Sequence, residues 1–246
     1  MESKLAVLID ADNVPYSNIK GMLDELKTYG DTVIKRIYGD WTTPNLSGWK
    51  SVLLEYAIVP IQQYRYTVGK NATDSAMIID AMDILHRENI DGFCIVSSDS
   101  DFTRLATRLR ESGKIVIGMG EQKTPKPFVS ACNRFIYIEL LQNNTIAAKD
   151  VPRSKSIKQN TYVSDMSKED LIELLNQSIT DLADDDGWAF LGDLGNLLLK
   201  KRPDFDPRSF GYPKLTPLIE SMGEDFIVEK RDVGNSLCQH IYVKRK

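Results

Sequence analysis

Five aspartates in three separated segments have the chemistry and the placement to act together: Asp10 with Asp12, Asp74 alone, and Asp99 with Asp101. Carboxylates brought close repel and raise one another's pKa unless a cation neutralises them, and an all-oxygen donor set suits Mg²⁺ or Mn²⁺. Beside a phosphodiester, such an ion polarises phosphoryl oxygens and lowers the pKa of a bound water, so hydrolysis needs no histidine. The chain has only two histidines, His86 and His240, and a Ser-His-Asp or Cys-His arrangement would require a long-range coincidence between so few candidates. Three cysteines, Cys94, Cys132 and Cys238, form an odd, widely spaced set. That fits neither a disulfide framework nor a zinc knuckle and reads as small buried hydrophobes.

Taken singly, each acid has an ordinary explanation: Asp10-Ala11-Asp12-Asn13 as a polar turn, Asp74 and Asp101 as helix caps, Asp99 as a loop residue. What changes the reading is the set of elements that must position them. From Lys4 to Leu141, short β-branched or apolar runs alternate with stretches of helical periodicity, the pattern of an α/β, Rossmann-like parallel sheet with covering helices. Strands are predicted over 5–9, 32–38, 59–63, 92–96, 115–119 and 135–138, with helices over 17–29, 47–56, 74–88, 101–112 and 126–132. The first and fourth helices end at Gly30 and Gly113, where glycine takes a left-handed cap. In an open parallel sheet, ligands sit beyond the carboxyl ends of the strands, near the switch in strand order. Asp10 and Asp12 follow the first strand, Asp99 and Asp101 the fourth, and Asp74 opens the third helix, so the topology sends all five to one edge.

At 246 residues, with 42% hydrophobic and 27% charged, the chain is long enough for a real core, and fibrous or wholly disordered classes are excluded. No stretch approaches the roughly 20 apolar residues of a membrane helix, and the apolar opening runs into acids rather than a cleavage site. A cytoplasmic protein with no membrane partner is expected. The formal net charge of -4 argues mildly against a histone-like coat on nucleic acid, although a local basic patch can still bind phosphates.

Residues 142–166 are rich in Asn, Lys, Ser, Thr and Gln around Pro152 and read as a linker between a domain at 1–141 and another at 167–246. Ser167 followed by Lys168, Glu169 and Asp170 marks a helix start, and Leu171, Leu174, Leu175 and Ile179 share its apolar face. Helices over 191–199 and 214–222 and strands over 226–230 and 240–243, joined around Gly234-Asn235, suggest a smaller winged helix-turn-helix domain. Lys200, Lys201 and Arg202 make a basic helix end, followed by Arg208 and Lys214, and the wing offers Lys230 and Arg231. These residues either meet phosphates or complement a helix dipole on a solvated face that also carries Asp184–Asp186, Asp204 and Asp206. Phe205 and Trp188 sit in apolar segments and are expected in the core.

Leu8-Ile9-Asp10-Ala11-Asp12-Asn13-Val14, then Gly69-Lys70 before Asp74, then Val96-Ser97-Ser98-Asp99-Ser100-Asp101-Phe102 resemble, as an ordered set, the NYN domain, a member of the PIN-like nuclease fold also found in LabA-like proteins. The resemblance covers about 4–141. It implies a metal-dependent ribonuclease centre using Mg²⁺ or Mn²⁺, with Asp10, Asp74, Asp99 and Asp101 as catalytic acids and metal ligands and Asn13 and Ser98 as polar supports. Asp12 is either a ligand or a turn residue. Asp80 resembles a further family acid, yet on an ideal helix it points about two-thirds of a turn from Asp74, and a surface or supporting role is the alternative. Lys70 and Arg65 are candidate substrate contacts, the latter between Tyr64 and Tyr66 in a stretch that either holds single-stranded nucleic acid or packs on the sheet. Trp41 and Trp49 flank a loop that either contacts bases or is tethered by them.

The second segment, from Gly187-Trp188-Ala189-Phe190-Leu191-Gly192-Asp193-Leu194-Gly195-Asn196 through Pro203-Asp204-Phe205-Asp206-Pro207-Arg208 to Lys214-Leu215, is similar to the OST-HTH domain, also called LOTUS, over about 167–245. That implies a module that binds RNA or a protein partner of RNA processing. The combined expectation is a metal-dependent endoribonuclease acting on single-stranded or structured RNA. Two alternatives stand beside it: a non-catalytic RNA-binding regulator, and a haloacid dehalogenase-type phosphatase built on Asp10-x-Asp12. The latter resemblance is weakened by Val14, where a hydroxyl is usual, and by the tight spacing of Asp99 and Asp101.

Overall fold

The computed structural model describes residues 2–64, 72–142, 166–232 and 239–246, and the chain divides into two compact units between Pro152 and Arg153. Each is built on its own sheet. In the first, β1 (Lys4–Asp10), β2 (Asp31–Gly39), β3 (Val59–Gln62), β4 (Gly92–Val96), β5 (Ile115–Gly120) and β6 (Arg134–Tyr137) form a six-stranded sheet in the order β3-β2-β1-β4-β5-β6. All five pairings are parallel, as crossover helices require. The order reverses between β1 and β4, which leaves the crevice for a ligand at their carboxyl ends.

Burial on both faces explains the composition of the central strands. Leu5 through Asp10 are all buried, so β1 is continuously apolar up to its last residue instead of alternating. Leu5, Val7 and Ile9 pack into one layer with Ile19, Met22, Leu26 and Trp49, from α1 (Ile19–Leu26) and α2 (Trp49–Glu55). Ala6 and Leu8 pack into the other with Met77, Ala81, Leu105 and Phe128, from α3 (Ala72–Arg87), α4 (Thr103–Glu111) and α5 (Lys126–Ala131). A short α6 (Glu139–Gln142) follows β6.

All six expected strands are present within a residue or two, and the helices differ mainly at their ends, where single-turn 3₁₀ segments replace the first turn. Gly113 takes the left-handed conformation expected after α4, with φ of 77°. Gly30 serves a different need: a Cβ there would lie 2.2 Å from the Ser3 carbonyl oxygen, so the close approach of the amino-terminal strand requires glycine.

The second unit contains α7 (Lys168–Leu182), β7 (Trp188–Phe190), α8 (Leu191–Lys201), α9 (Leu215–Glu220), β8 (Phe226–Asp232) and β9 (Gln239–Arg245). Ser167 caps α7 in a reciprocal box: its hydroxyl accepts the Asp170 N–H, while the Asp170 carboxylate accepts the Ser167 N–H. The expected hairpin becomes a three-stranded antiparallel sheet, β7-β9-β8, because the three residues before α8 add a strand. Leu171, Leu175, Leu194, Leu198, Phe205, Leu218, Ile219 and Val243 form its core. The segment around Gly234-Asn235 and most of the linker lie outside the described residues, as does Cys238; Cys94 and Cys132 are free and buried, as expected. No helix among the described residues is long and apolar enough to cross a membrane.

Candidate functional site

β1 delivers Asp10 as its final residue, in phase with Ala6 and Leu8 and therefore on the sheet face covered by α3. The side chain is 1% exposed, and its oxygens are occupied. Oδ1 accepts the Asp12 N–H at 3.1 Å, and Oδ2 accepts the Asn13 side-chain amide at 2.6 Å and the Ser97 hydroxyl at 2.8 Å. Burial raises the Asp10 pKa, and the donors only partly offset it.

Ser97 stands one residue beyond β4 and couples the two strand ends. While donating to Asp10, its Oγ accepts the Asp99 N–H at 3.1 Å. Asp99 in turn caps the 3₁₀ turn Ser100–Phe102, its Oδ1 accepting the Asp101 N–H at 2.9 Å, which fixes Asp101 in the first turn. Asp74 arrives on the first turn of α3. Asp74, Asp99 and Asp101 each present a carboxylate oxygen, and these atoms lie within 4.8 Å of one another.

The electrostatics agree with that crowding. The Asp74 pKa is pushed up to about 6, first by burial and then by the charges of Asp10, Asp99, Asp101 and Asp12. Asp10 as the largest Coulombic contributor puts it at the same edge, although its own oxygens are turned to Asn13, Ser97 and the Asp12 backbone. A half-buried group of hard oxygen donors, with the charge of one carboxyl disfavoured by burial and by its neighbours, fits a divalent cation.

The other expected residues fall into distinct places. Asp12 is exposed and contributes its N–H to Asp10 and its charge to Asp74. Ser98 turns away from the acids: its Oγ accepts the Glu121 N–H at 2.8 Å, bracing the loops after β4 and β5. Asp80 stands apart from the acidic group and bonds the Arg36 guanidinium and the Tyr38 hydroxyl of β2. Burial, then the hydrogen bond to Asp80, pushes the Tyr38 hydroxyl pKa up. Trp41 tethers its loop, its indole N–H donating to the Ile61 carbonyl at 3.0 Å, and Trp49 is buried. Tyr64 is exposed, whereas Arg65, Tyr66 and Lys70 lie outside the described residues. Beside Asp12 and Asn13 opens a cleft of about 430 Å³, lined also by Tyr16, Asn45, Trp49 and Lys123. Burial pushes the Cys132 thiol up to about 12 and the Cys94 thiol higher still, so neither offers a thiolate nucleophile.

In the second unit, three of the five candidate cations are held by acids. Lys201 pairs with Asp181 at 2.7 Å, Arg202 with Asp204 at 3.1 Å, and Arg208 with Asp206 at 2.8 Å. Lys200 and Lys214 are exposed. Phe205 is in the core as expected, but Trp188 is half-exposed, with the Arg231 guanidinium 4.8 Å above its ring. The apolar segment around Trp188 is a strand with one face buried, and Trp188 lies on the other.

Ser97 is the site residue that residue types alone do not single out. Its signal lies in the register: Ile9 pairs with Val96, so the next step places Ser97 beside Asp10.

Comparison with known proteins bears on both units. A curated relative, an uncharacterised protein of Methanocaldococcus jannaschii, is 29% identical over 125 residues, which are 49% of this chain and 49% of that protein; the match thus spans about half of the relative's length. A solved protein of unknown function from Vibrio parahaemolyticus matches with a TM-score of 0.47 at 20% identity, covering 56% of this chain and 93% of that one. An uncharacterised protein from Nitrosomonas europaea gives a TM-score of 0.32 at 30% identity, covering 40% and 90%. The family model for the NYN domain matches residues 4–139, the whole six-stranded unit, and that for the OST-HTH/LOTUS domain matches 163–238. By a match that takes in more than half of its length, the chain belongs to the NYN domain family, and its second unit is an OST-HTH/LOTUS domain.

Proposed function

We propose that the first unit is a divalent-metal-dependent endoribonuclease and that the second unit brings it RNA. The observation that carries this reading is the meeting of Asp74, Asp99 and Asp101 within 4.8 Å at the sheet edge where the strand order reverses. Asp74, Asp99 and Asp101 hold Mg²⁺ or Mn²⁺, with Asp10 and Asp12 adding negative charge beside them. When bound, the ion supplies a water of lowered pKa and stabilises charge on the phosphodiester. Asp10 orients the group through Ser97 and Asn13, and Ser98 fixes the neighbouring loop. The cleft beside Asp12 and Asn13 receives the nucleotide next to the scissile bond. Lys70 and Arg65 belong to this reading as phosphate contacts, and the protein works in the cytoplasm.

Two features weigh against the alternatives. A phosphatase that forms an aspartyl-phosphate needs an open carboxylate oxygen on Asp10, yet both are engaged and the side chain is 1% exposed. A purely regulatory pocket has no use for three carboxylates within 4.8 Å of one another, one of them destabilised by burial and by its acidic neighbours. The test is cleavage of labelled unstructured and hairpin RNA with Mn²⁺, with EDTA, and with the Asp99→Asn protein. Metal-dependent cleavage lost in both controls supports the reading. RNA binding without any cleavage by the wild-type protein would replace it with the regulator.

A further inference from the structure

The three-stranded sheet of the second unit has two unlike faces. Ala189, Val243 and Phe226 point into the core, at 0%, 0% and 2% exposure. By alternation the opposite face carries Trp188 and Phe190 from β7, His240, Tyr242 and Lys244 from β9, and Ile227, Glu229 and Arg231 from β8; Ile227 and Glu229 are exposed and the other six half-exposed. Phe190 lies 5.0 Å from His240 and 5.7 Å from Tyr242 between ring centroids. The Arg231 guanidinium carbon sits 4.4 Å from the Tyr242 ring centroid and 4.8 Å from that of Trp188, and Lys244 Nζ is 5.9 Å from Trp188.

We infer that this face is a stacking platform for single-stranded RNA. Unpaired bases offer flat π surfaces that stack on aromatic rings and on guanidinium planes, and the phosphates between them call for cations at the same spacing. Here rings and cations interleave. Arg231 is held by Glu229 at 3.2 Å, so its plane is oriented before any ligand arrives. Phe190 is held as well: a Cβ on Gly192 would come within 2.6 Å of its ring, so the missing side chain makes the room in which that ring lies. Lys201, Arg202 and Arg208 are each paired with an aspartate of their own unit, as Arg231 is with Glu229, and what the sheet face adds is aromatic rings within reach of its cations. The platform therefore displaces the basic end of α8 as the principal nucleic-acid contact of this unit.

This inference rests on RNA being the ligand but not on its being cut, so the experiment is done in EDTA, where absent catalysis leaves the result readable. Fluorescence anisotropy of a labelled single-stranded RNA of about 12 nucleotides is measured with the full chain, with Trp188→Leu/Tyr242→Leu, with Arg231→Gln and with Lys200→Gln/Lys214→Gln. The ring variant weakens binding by about tenfold or more, Arg231→Gln weakens it by a smaller factor, and the lysine variant changes it least. Duplex RNA, whose bases are not open to stacking, binds the wild type more weakly than the single strand. Ring and Arg231 variants that bind like the wild type would overturn the platform and turn attention to a protein partner for this face. Equal affinity for duplex would also overturn it. To separate ligand contact from any change the ring variant makes in the sheet, 4-thiouridine crosslinking is done on the wild type. Adducts on residues 188–190 and 240–244 support the inference, and adducts confined to α8 and α9 reject it.

Discussion

The Ser97 hydroxyl donates to Asp10 Oδ2 at 2.8 Å and accepts the Asp99 N–H at 3.1 Å, so one small side chain joins the ends of β1 and β4. The aspartates of the two segments are therefore positioned as a unit. Ser97→Ala keeps the volume nearly unchanged but leaves the buried Asp10 carboxylate with one donor fewer and frees the Asp99 backbone. Residues that orient metal ligands typically contribute about 10–100-fold to affinity or activity. A loss of that order is expected in Mn²⁺ affinity measured by calorimetry, and Ser97→Thr, which retains the hydroxyl, should recover part of it.

Asp74 makes the site sensitive to pH. With its pKa raised to about 6 by burial and by its acidic neighbours, its neutral form is favoured in the metal-free fold. The stabilising contribution of that proton is complete below the ordinary carboxylate range, near 4, and is lost as pH rises through about 6. Thermal melting of the metal-free protein should thus show a decline between these values that Asp74→Asn reduces, with buried Asp10, whose pKa is also raised, contributing the remainder. A divalent ion reverses the sign, because binding requires the proton to leave. Metal affinity should rise with pH and level off above about 6, with proton release detectable below that point by calorimetry in buffers of different ionisation enthalpy.

Asp80 gives a contrasting expectation. Its bonds run to Arg36 and Tyr38 on β2, away from the acidic group. Asp80→Ala leaves a partly buried guanidinium and a buried phenol without their acceptor, at a cost of about 2 kcal/mol in folding stability. Mn²⁺ affinity should change far less than with Asp99→Asn. A metal affinity that collapses in Asp80→Ala at unchanged stability would make Asp80 part of the ion site instead.

The contrast between Asp74 and Asp80 marks what the sequence makes legible. The edge at which Asp10, Asp74, Asp99 and Asp101 meet follows from strand order and strand ends, because long buried strands and helices write their period plainly. Asp80 is six residues past Asp74, and helical geometry alone separates them; its actual partners lie on β2 and become visible only with the packing of α3 on the sheet. Ser98 and Ser97 are neighbours of one type, and only the register decides which faces Asp10. Trp188 shows the converse error. A three-residue strand is too short to display alternation, so its apolar neighbourhood points to the core, whereas pairing with β9 turns the ring to the outer face.

Arg208 separates a structural cation from a ligand-binding one. Its guanidinium and its own N–H both reach Asp206, a side chain 4% exposed that also caps the turn Pro207–Phe210. Removing the partner of a buried charge typically costs about 3 kcal/mol or more. Arg208→Ala should therefore lower hydrogen-exchange protection of the amides in residues 205–220 by about a hundredfold, since about 1.4 kcal/mol corresponds to a factor of ten. Lys200→Ala, exposed on α8, should leave that protection unchanged. If Arg208 served mainly to contact RNA, Arg208→Ala would weaken binding with exchange unaltered, and the ion pair with Asp206 would be incidental. The burial of Asp206 argues for the opposite order: the turn loosens first, and any loss of RNA affinity follows from it.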